Sequence, residues 1–301
     1  MCGIAGVINF QNYNLNDIKD SLIHRGPDNQ DIYINKNVAL IHTRLSIQDL
    51  ALGFQPFHHN NLTIIFNGEI YNHQKLRLDY LKNMQFKTQS DTETLLLLYI
   101  EYGHEMFDMI DGMFAFAIYD SDNSKVTIAR DRIGKKPLYI YTNGSDLMFS
   151  SELIGIKAAI KDLDINEEAV SSYLRTGFFF RHHTPYSDIE EVEAGSVYEI
   201  DIKDLSITKN RFFNLKKFYN CQSDKTLTES VKQLDYLLDK SIKDRLVSSD
   251  IEVGAFLSGG IDSGLIVAIA SKYQEQLKTF TVKFDGAYDE SSLARLVSNR
   301  Y

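Results

Sequence analysis

The sequence predicts two domains of different architecture: a sheet-rich α+β domain over residues 1–214, then the start of an α/β domain built on a parallel sheet, over residues 228–301. Three observations carry this. Short apolar, β-branched or aromatic runs separated by Asn, Asp and Gly fill the first stretch. Residues 215–227 turn polar and read as a linker. Beyond them a helical pattern is followed by strand, glycine-containing loop, helix and strand, the order of a βαβ unit. A length of 301 residues agrees, at about 150 residues per domain.

In the first domain the strands are expected at residues 6–10, 38–42, 62–66, 113–119, 125–130, 138–141 and 147–151. Two helices interrupt them. One covers residues 16–22. The other opens at Ser90-Asp91-Thr92-Glu93, a capping-box pattern, and stops at Gly103. The aromatic run Phe178-Phe179-Phe180 reads as core. In the second domain Val231, Leu234, Leu238 and Ile242 recur at helical spacing across residues 228–246. Strands are expected at 253–257 and 279–284, with a helix over 264–273 between them.

Composition narrows the function. With 32 basic and 41 acidic residues the net charge is −9, which argues against nucleic acid as a partner and against a polybasic membrane anchor. The 44% hydrophobic and 24% charged content is that of an ordinary globular protein. Cys2 and Cys221 are the only cysteines, too few for a disulfide framework. No apolar run approaches the length of a membrane span, and the N-terminus lacks a signal-peptide pattern. A soluble protein of the reducing cytoplasm is expected. The pairs His58-His59 and His182-His183 read as solvated loops, because adjacent histidines do not easily face one ion.

The loop Ser258-Gly259-Gly260-Ile261-Asp262-Ser263 follows an apolar strand and precedes a helix. Paired glycines let backbone approach an anion closely, and a helix N-terminus offers unbonded N–H groups and a positive dipole. Five fixed letters at about 7% usage each arise by chance in such a chain with odds on the order of 10⁻³. The terminal Gly-Lys-Ser/Thr of a Walker A loop is missing. The run resembles instead the pyrophosphate loop of the ATP pyrophosphatase family, which splits ATP into AMP and pyrophosphate to adenylate an acceptor. That resemblance implies that Ser258, Gly259, Gly260, Asp262 and Ser263 hold the pyrophosphate of ATP with its Mg²⁺, Asp262 facing the metal. It implies Leu257 and Val282 as adenine contacts. Gly264 stands where that family often has a second serine.

Cys2 becomes the first residue once Met1 is removed. Its α-amine, with a pKa near 7.7–8.0, can then act as base for its own thiol. Alone, Cys2 reads better as an incidental residue at a frayed terminus. It is accompanied by Met1-Cys2-Gly3-Ile4-Ala5-Gly6, His24-Arg25-Gly26-Pro27-Asp28, His42-Thr43-Arg44-Leu45-Ser46-Ile47, Asn67-Gly68-Glu69-Ile70-Tyr71-Asn72 and Ser90-Asp91-Thr92-Glu93. In this order the motifs resemble the class II glutamine amidotransferases. The resemblance implies an N-terminal-nucleophile hydrolase fold, an αββα four-layer sandwich, and hydrolysis of glutamine through a thioester on Cys2.

Each implied role has a chemical reason. Asn67 and the Gly68 N–H form an oxyanion hole, although Asn-Gly is also the strongest short hairpin signal, and a tight turn could present both donors. Arg44 grips the glutamine α-carboxylate. Glu69 and Asp91 hold its α-ammonium. Residues 25–28 form a loop over the site.

A glutaminase domain ahead of an ATP pyrophosphatase domain resembles the glutamine-hydrolysing asparagine synthetase family. Further stretches agree: 112–117, 130–139, 150–152 and Tyr288-Asp289-Glu290-Ser291. The resemblance implies that ammonia from glutamine travels through an internal channel to adenylated aspartate, giving asparagine, glutamate, AMP and pyrophosphate. ATP with Mg²⁺ enters as substrate and no tightly bound cofactor is expected; a homodimer is possible. Family members run some hundreds of residues further, so the chain is expected to be C-terminally truncated. Residues 253–284 should then expose apolar surface and aggregate or need a partner. Alternatives are an amidotransferase for another carboxylate, such as an acidic sugar or a peptide, a fragment keeping only glutaminase activity, and a catalytically silent interaction module. A β-lactam-forming relative typically loses the nucleophile, so Cys2 argues against it.

Overall fold

The structure, a computed structural model, describes residues 2–221, 223–286 and 289–301. Met1 and Tyr288, which belong to two of the motifs above, lie outside the described residues. The chain divides into two units, 1–219 and 220–301.

The first unit opens with β1 (Gly3–Ile8), α1 (Leu15–Ser21), β2 (Asn29–Asn35), β3 (Val38–Arg44), β4 (Phe57–His59) and β5 (Leu62–Ile70). Helices α2 (His73–Tyr80), α3 (Asp91–Tyr102) and α4 (Met106–Met109) follow. Then come β6 (Gly112–Asp120), β7 (Lys125–Arg130), β8 (Tyr139–Thr142), β9 (Leu147–Ser150), α5 (Leu153–Ala159) and α6 (Glu167–Thr176). The unit ends with β10 (Ile189–Glu191), β11 (Ser196–Asp201), β12 (Ile207–Arg211) and α7 (Lys216–Tyr219).

Two six-stranded sheets result, ordered β10-β8-β9-β1-β3-β2 and β12-β11-β7-β6-β5-β4, and all their strand pairs are antiparallel. Period-two alternation sorts the side chains into three apolar layers. Ile4, Ile8, Val38 and Leu40 from one sheet meet Ile65, Ala115, Ala117 and Ile128 from the other between the sheets. Ala5, Val7, Ala39 and Ile41 face the opposite way, onto Ile18 and Leu22 beside α1 and Ile156 of α5. Ile64, Phe66, Phe114 and Phe116 turn outward onto Leu95, Leu96 and Leu98 of α3 and Phe107 of α4. Helix, sheet, sheet, helix is the layering.

Several local expectations are corrected. Asn67-Gly68 is not a turn but lies inside β5, opposite Ala115 and Phe114 of β6. The hairpin turns instead at Asn60, in the left-handed region at φ 54°, between β4 and β5. Gly68 is required by close approach: a Cβ there would lie 2.3 Å from the Met113 carbonyl oxygen. The helix at residue 91 lacks the reciprocal cap. Ser90 accepts from the Thr92 N–H, while the Glu93 carboxylate turns to the N–H groups of Lys87 and Thr88 and to the Thr88 hydroxyl. Phe178 and Phe180 are exposed rather than core, because helix α6 ends at Gly177 just before them. His58 and His59 belong to strand β4, where the His58 ring packs 4.7 Å from Tyr33.

The second unit contains α8 (Leu227–Val247), β13 (Ala255–Phe256), α9 (Ile261–Ala270), β14 (Thr279–Phe280) and α10 (Ser291–Ser298). Helix α7 therefore occupies the first part of the segment expected to be linker, and α8 begins behind a full capping box of Thr226 and Glu229. The strands β13 and β14 pair in parallel, and the order β13, α9, β14 is a βαβ unit. Both strands are shorter than the apolar runs suggest. The Thr281 hydroxyl takes the Leu257 carbonyl and so ends the ladder. A small core of Leu257, Val267 and Ala294 with Ala255, Leu277 and Val297 holds the unit, while Phe256, Phe280, Val282 and Phe284 are exposed. Among the described residues no helix is long and apolar enough to cross a membrane.

Candidate active site

The alternation that builds the inter-sheet layer also places polar groups at its end. Cys2 lies two residues before Ile4, Asn67 two after Ile65, and Lys136 two before Leu138; the three apolar residues all belong to that layer. Where the layer ends, Cys2, Arg44, Asn67, Gly68, Glu69, Asp91 and Lys136 line one cavity of about 80 Å³. The six residues predicted for glutamine chemistry are thus brought together from β1, β3, β5 and the start of α3.

Cys2 is held from several sides. Its Sγ accepts from the Leu45 N–H at 3.4 Å and lies 3.7 Å from the Leu45 carbonyl. The Arg25 Nε donates to the Cys2 carbonyl at 3.0 Å, and Arg25 is paired to Glu152 at 2.6 Å. Next to it the Gly3 N–H donates to Thr43 Oγ1, a contact that leaves no room for a Cβ at residue 3. Burial pushes the Cys2 thiol above its ordinary pKa; the Leu45 N–H and the Lys136 charge oppose this, and Asp91 adds to it. Residues 25–28 do not line the cavity. They lie along the end of β3, with Asp28 accepting from the Ser46 N–H, and so fix the backbone around the thiol.

Asn67 is fully buried, and neither its amide nitrogen nor its amide oxygen has a hydrogen-bond partner. Leaving a buried amide unpaired costs about 1–3 kcal/mol, so a group kept in this state inside a cavity is set to meet something that enters. The strand carrying it is braced at Phe66, whose N–H donates to Gln55 Oε1 at 2.6 Å and whose carbonyl lies 3.3 Å from His42 Nε2. Burial drives His42 down to about 3, which leaves its ring neutral.

Arg44 is buried, and its Nη2 donates to the Asp49 and Gln48 carbonyls at 2.7 and 3.1 Å. Phe54 stacks 5.0 Å from the guanidinium carbon. Gly53 leaves it room, since a Cβ there would lie 2.8 Å from Nη2. Asp91 accepts from the Ile70 N–H at 2.9 Å. Burial, with the Glu69 carboxylate nearby, raises its pKa from 3.8 to about 7. Two carboxyl groups facing one cavity make a site for a cation.

In the second unit Leu257, Ser258, Ser263 and Val282 line one pocket with Phe256, Phe280, Thr281, Phe284 and Glu290. Gly259, Gly260 and Asp262 are outside that lining. Gly259 has φ +85° and sits against α10, where a Cβ would lie 2.7 Å from the Leu293 Cβ. Gly260 caps α9, so Asp262 and Ser263 fall in its first turn rather than in the loop. The Ser258 and Ser263 hydroxyls lie 3.1 Å apart. Among the described residues no cluster of three or more His, Cys, Asp or Glu is arranged for a metal ion.

Sequence reasoning missed Lys136, Gln48 and Gln55, all lining the first cavity. Lys136 lies within the 130–139 stretch but carries no spacing signal of its own. The two glutamines act through backbone, Gln48 accepting from the Asp91 N–H and Gln55 bracing β5, contacts that exist only once the chain has folded.

Residues 1–213 match the protein family described as glutamine amidotransferase domain, and residues 233–301 match the one described as asparagine synthase. The chain is 36% identical to glutamine-hydrolyzing asparagine synthetase 1 of Bacillus subtilis, over 95% of this chain and 46% of that one. It is also 36% identical to glutamine-hydrolyzing asparagine synthetase B of Escherichia coli, over 91% of this chain and 45% of that one. It spans about half the length of the curated relatives it matches. Among solved structures, the allosteric regulatory enzyme of purine biosynthesis superposes with a TM-score of 0.52 at 19% identity, over 95% of this chain and 66% of that one. The likeness is one of fold, the N-terminal-nucleophile sandwich.

Proposed function

The chain belongs to the family of glutamine amidotransferase domains, and on that premise we propose that its first unit hydrolyses glutamine at Cys2. The observation that carries the reading is the fully buried Asn67 amide, unpaired and facing the cavity that the Cys2 thiol also lines. With Met1 removed, the Cys2 α-amine takes the thiol proton and the sulfur bonds to the side-chain carbon of glutamine. The carbonyl electron pair moves onto oxygen, where the Asn67 amide and Gly68 N–H receive it. Collapse of this intermediate expels the amide nitrogen, which takes the proton back from the ammonium and leaves as ammonia. Water then cleaves the thioester to glutamate. Arg44 holds the substrate α-carboxylate, and Glu69 with Asp91 holds its α-ammonium.

The ammonia serves the amidation of aspartate. ATP with Mg²⁺ adenylates the aspartate side chain, and the second unit supplies Ser258, Gly259, Gly260, Asp262 and Ser263 to the pyrophosphate, with Leu257 and Val282 beside the adenine. Support comes from the asparagine synthase match over residues 233–301 and from the names of the relatives. The domains we assign are a glutaminase over 1–214, a linker over 215–227 and a synthetase segment over 228–301.

One mass-spectrometric assay tests both parts. Purified chain receives glutamine, ATP, Mg²⁺ and aspartate, beside a Cys2→Ala control. Glutamate that disappears in the control supports the glutaminase; glutamate that persists in the control overturns it. Asparagine appearing with AMP shows that these 301 residues suffice for the whole reaction, whereas glutamate alone confines the activity to the first unit.

A further inference from the structure

Lys136 is 2% exposed and lines the cavity beside Cys2. Its backbone is gripped on both sides: the N–H donates to Asp131 Oδ2 at 2.9 Å and the carbonyl accepts from Arg130 Nε at 2.8 Å. Asp131 is itself buried and accepts three further backbone N–H groups, from Phe114, Ile133 and Lys135. Arg130 also donates to the Val192 and Gly134 carbonyls and to Glu191. A lysine left to itself sends its ammonium to water, so this bracing holds a charge where solvation would not put it.

The surrounding charges give that placement a purpose. Facing Cys2 are Asp91 from α3 and Lys136; facing Lys136 are Cys2, Arg25, Glu69 from β5, and Asp131. Carboxyl groups on two elements thus bear on a site where a thiolate must form. We propose that Lys136 is a positioning residue of the glutaminase site, its side chain placed in the cavity to favour the Cys2 thiolate against the adjacent carboxylates. The inference deepens the glutaminase reading and rests on it. Burial lowers the Lys136 pKa, and Cys2, Glu69 and Asp131 oppose this; in the proposed step the thiol proton goes to the Cys2 α-amine, and the ammonium lowers the energy of the sulfur anion left behind. The direction agrees with the opposed effects on the thiol, raised by burial and Asp91 and lowered by Lys136.

The test is the pH dependence of Cys2 alkylation by iodoacetamide in the full chain, read by peptide mass spectrometry so that Cys2 and Cys221 are scored separately. Lys136→Met should move the Cys2 profile upward by about one pH unit, slowing alkylation about tenfold below it, with Cys221 unchanged. Lys136→Arg should stay on the wild-type profile. If Lys136→Met does not fold by circular dichroism, Lys136→Gln carries the same expectation. A folded neutral variant with an unshifted Cys2 profile overturns the proposal, as does Lys136→Arg shifting as far as Lys136→Met. Failure of the glutaminase reading appears separately, as absence of Cys2-dependent glutamate from wild-type protein, because alkylation needs no turnover.

Discussion

Asn67 and Asp91 face one cavity, and each stands in a state that water would not choose. Asn67→Ala removes an amide that binds nothing in the ligand-free protein, so it should lower the rate of glutamate release about 10²–10³-fold while leaving the melting temperature nearly in place. A matching collapse of both would mean that Asn67 is structural. Asp91 gives a pH signature. Folded, it holds its proton up to about 7, against 3.8 as its ordinary value. Between those values the folded chain binds a proton that the unfolded chain releases. Its contribution to stability is therefore full below pH 4 and is lost as pH rises to 7. Urea unfolding of ligand-free protein should show that decline, and Asp91→Asn should remove its share of it. A substrate ammonium favours the carboxylate, so glutamine binding near pH 6 should release a proton, measurable by calorimetry in buffers of different ionisation heat. These residues were legible because each sits in a short contiguous motif. Lys136 and Gln55 were not, since the place of Lys136 in the Cys2 cavity and the bond of Gln55 to the Phe66 N–H exist only in the folded chain.

At the scale of elements, β5 shows where local signals mislead. Asn-Gly is strong hairpin chemistry, yet here it runs through the middle of a nine-residue strand, and the glycine answers to the approach of β6. Gly68→Ala should therefore destabilise the first unit by about 1–3 kcal/mol, read as a lower urea midpoint. An unchanged midpoint would mean that β5 and β6 part at no cost. Helix α3 was readable from its run of four leucines and from Ser90. Its Glu93 was not readable as a loop anchor, because the same letters serve a cap. Helices α2, α5 and α6 went unread: α2 buries His73 and Leu76 alone and α6 buries Ala169 alone, too little apolar pattern to announce a helix. Strands β13 and β14 were overextended for the opposite reason, apolar residues continuing past the end of the ladder.

For the whole molecule, the expectation of sheet-rich α+β followed by α/β was legible because periodicity changes along the chain. Three apolar layers complete the first unit within residues 1–219, whereas residues 220, 221 and 223–226 are exposed. Limited trypsin digestion should therefore cut at Lys225 and at the exposed Lys217 and Lys216, leaving a resistant fragment that ends at residue 216 or 217. That fragment should melt cooperatively, and its progressive degradation instead would show that the first unit depends on the second for its stability.

The sheet order also carries a consequence for timing. Strand β1 is internal, paired with β3 on one side and β9 on the other, so the residue at its head is enclosed only after the ribosome has released residue 150. At roughly 5–20 residues per second, on the order of ten seconds separate synthesis of β1 from synthesis of its last neighbour. Removal of Met1, on which the glutaminase reading rests, should be easiest in that interval, before β1 is paired on both sides. Chain made under aminopeptidase inhibition should accumulate folded and unprocessed, and adding the enzyme afterwards should not rescue it unless the protein is first unfolded.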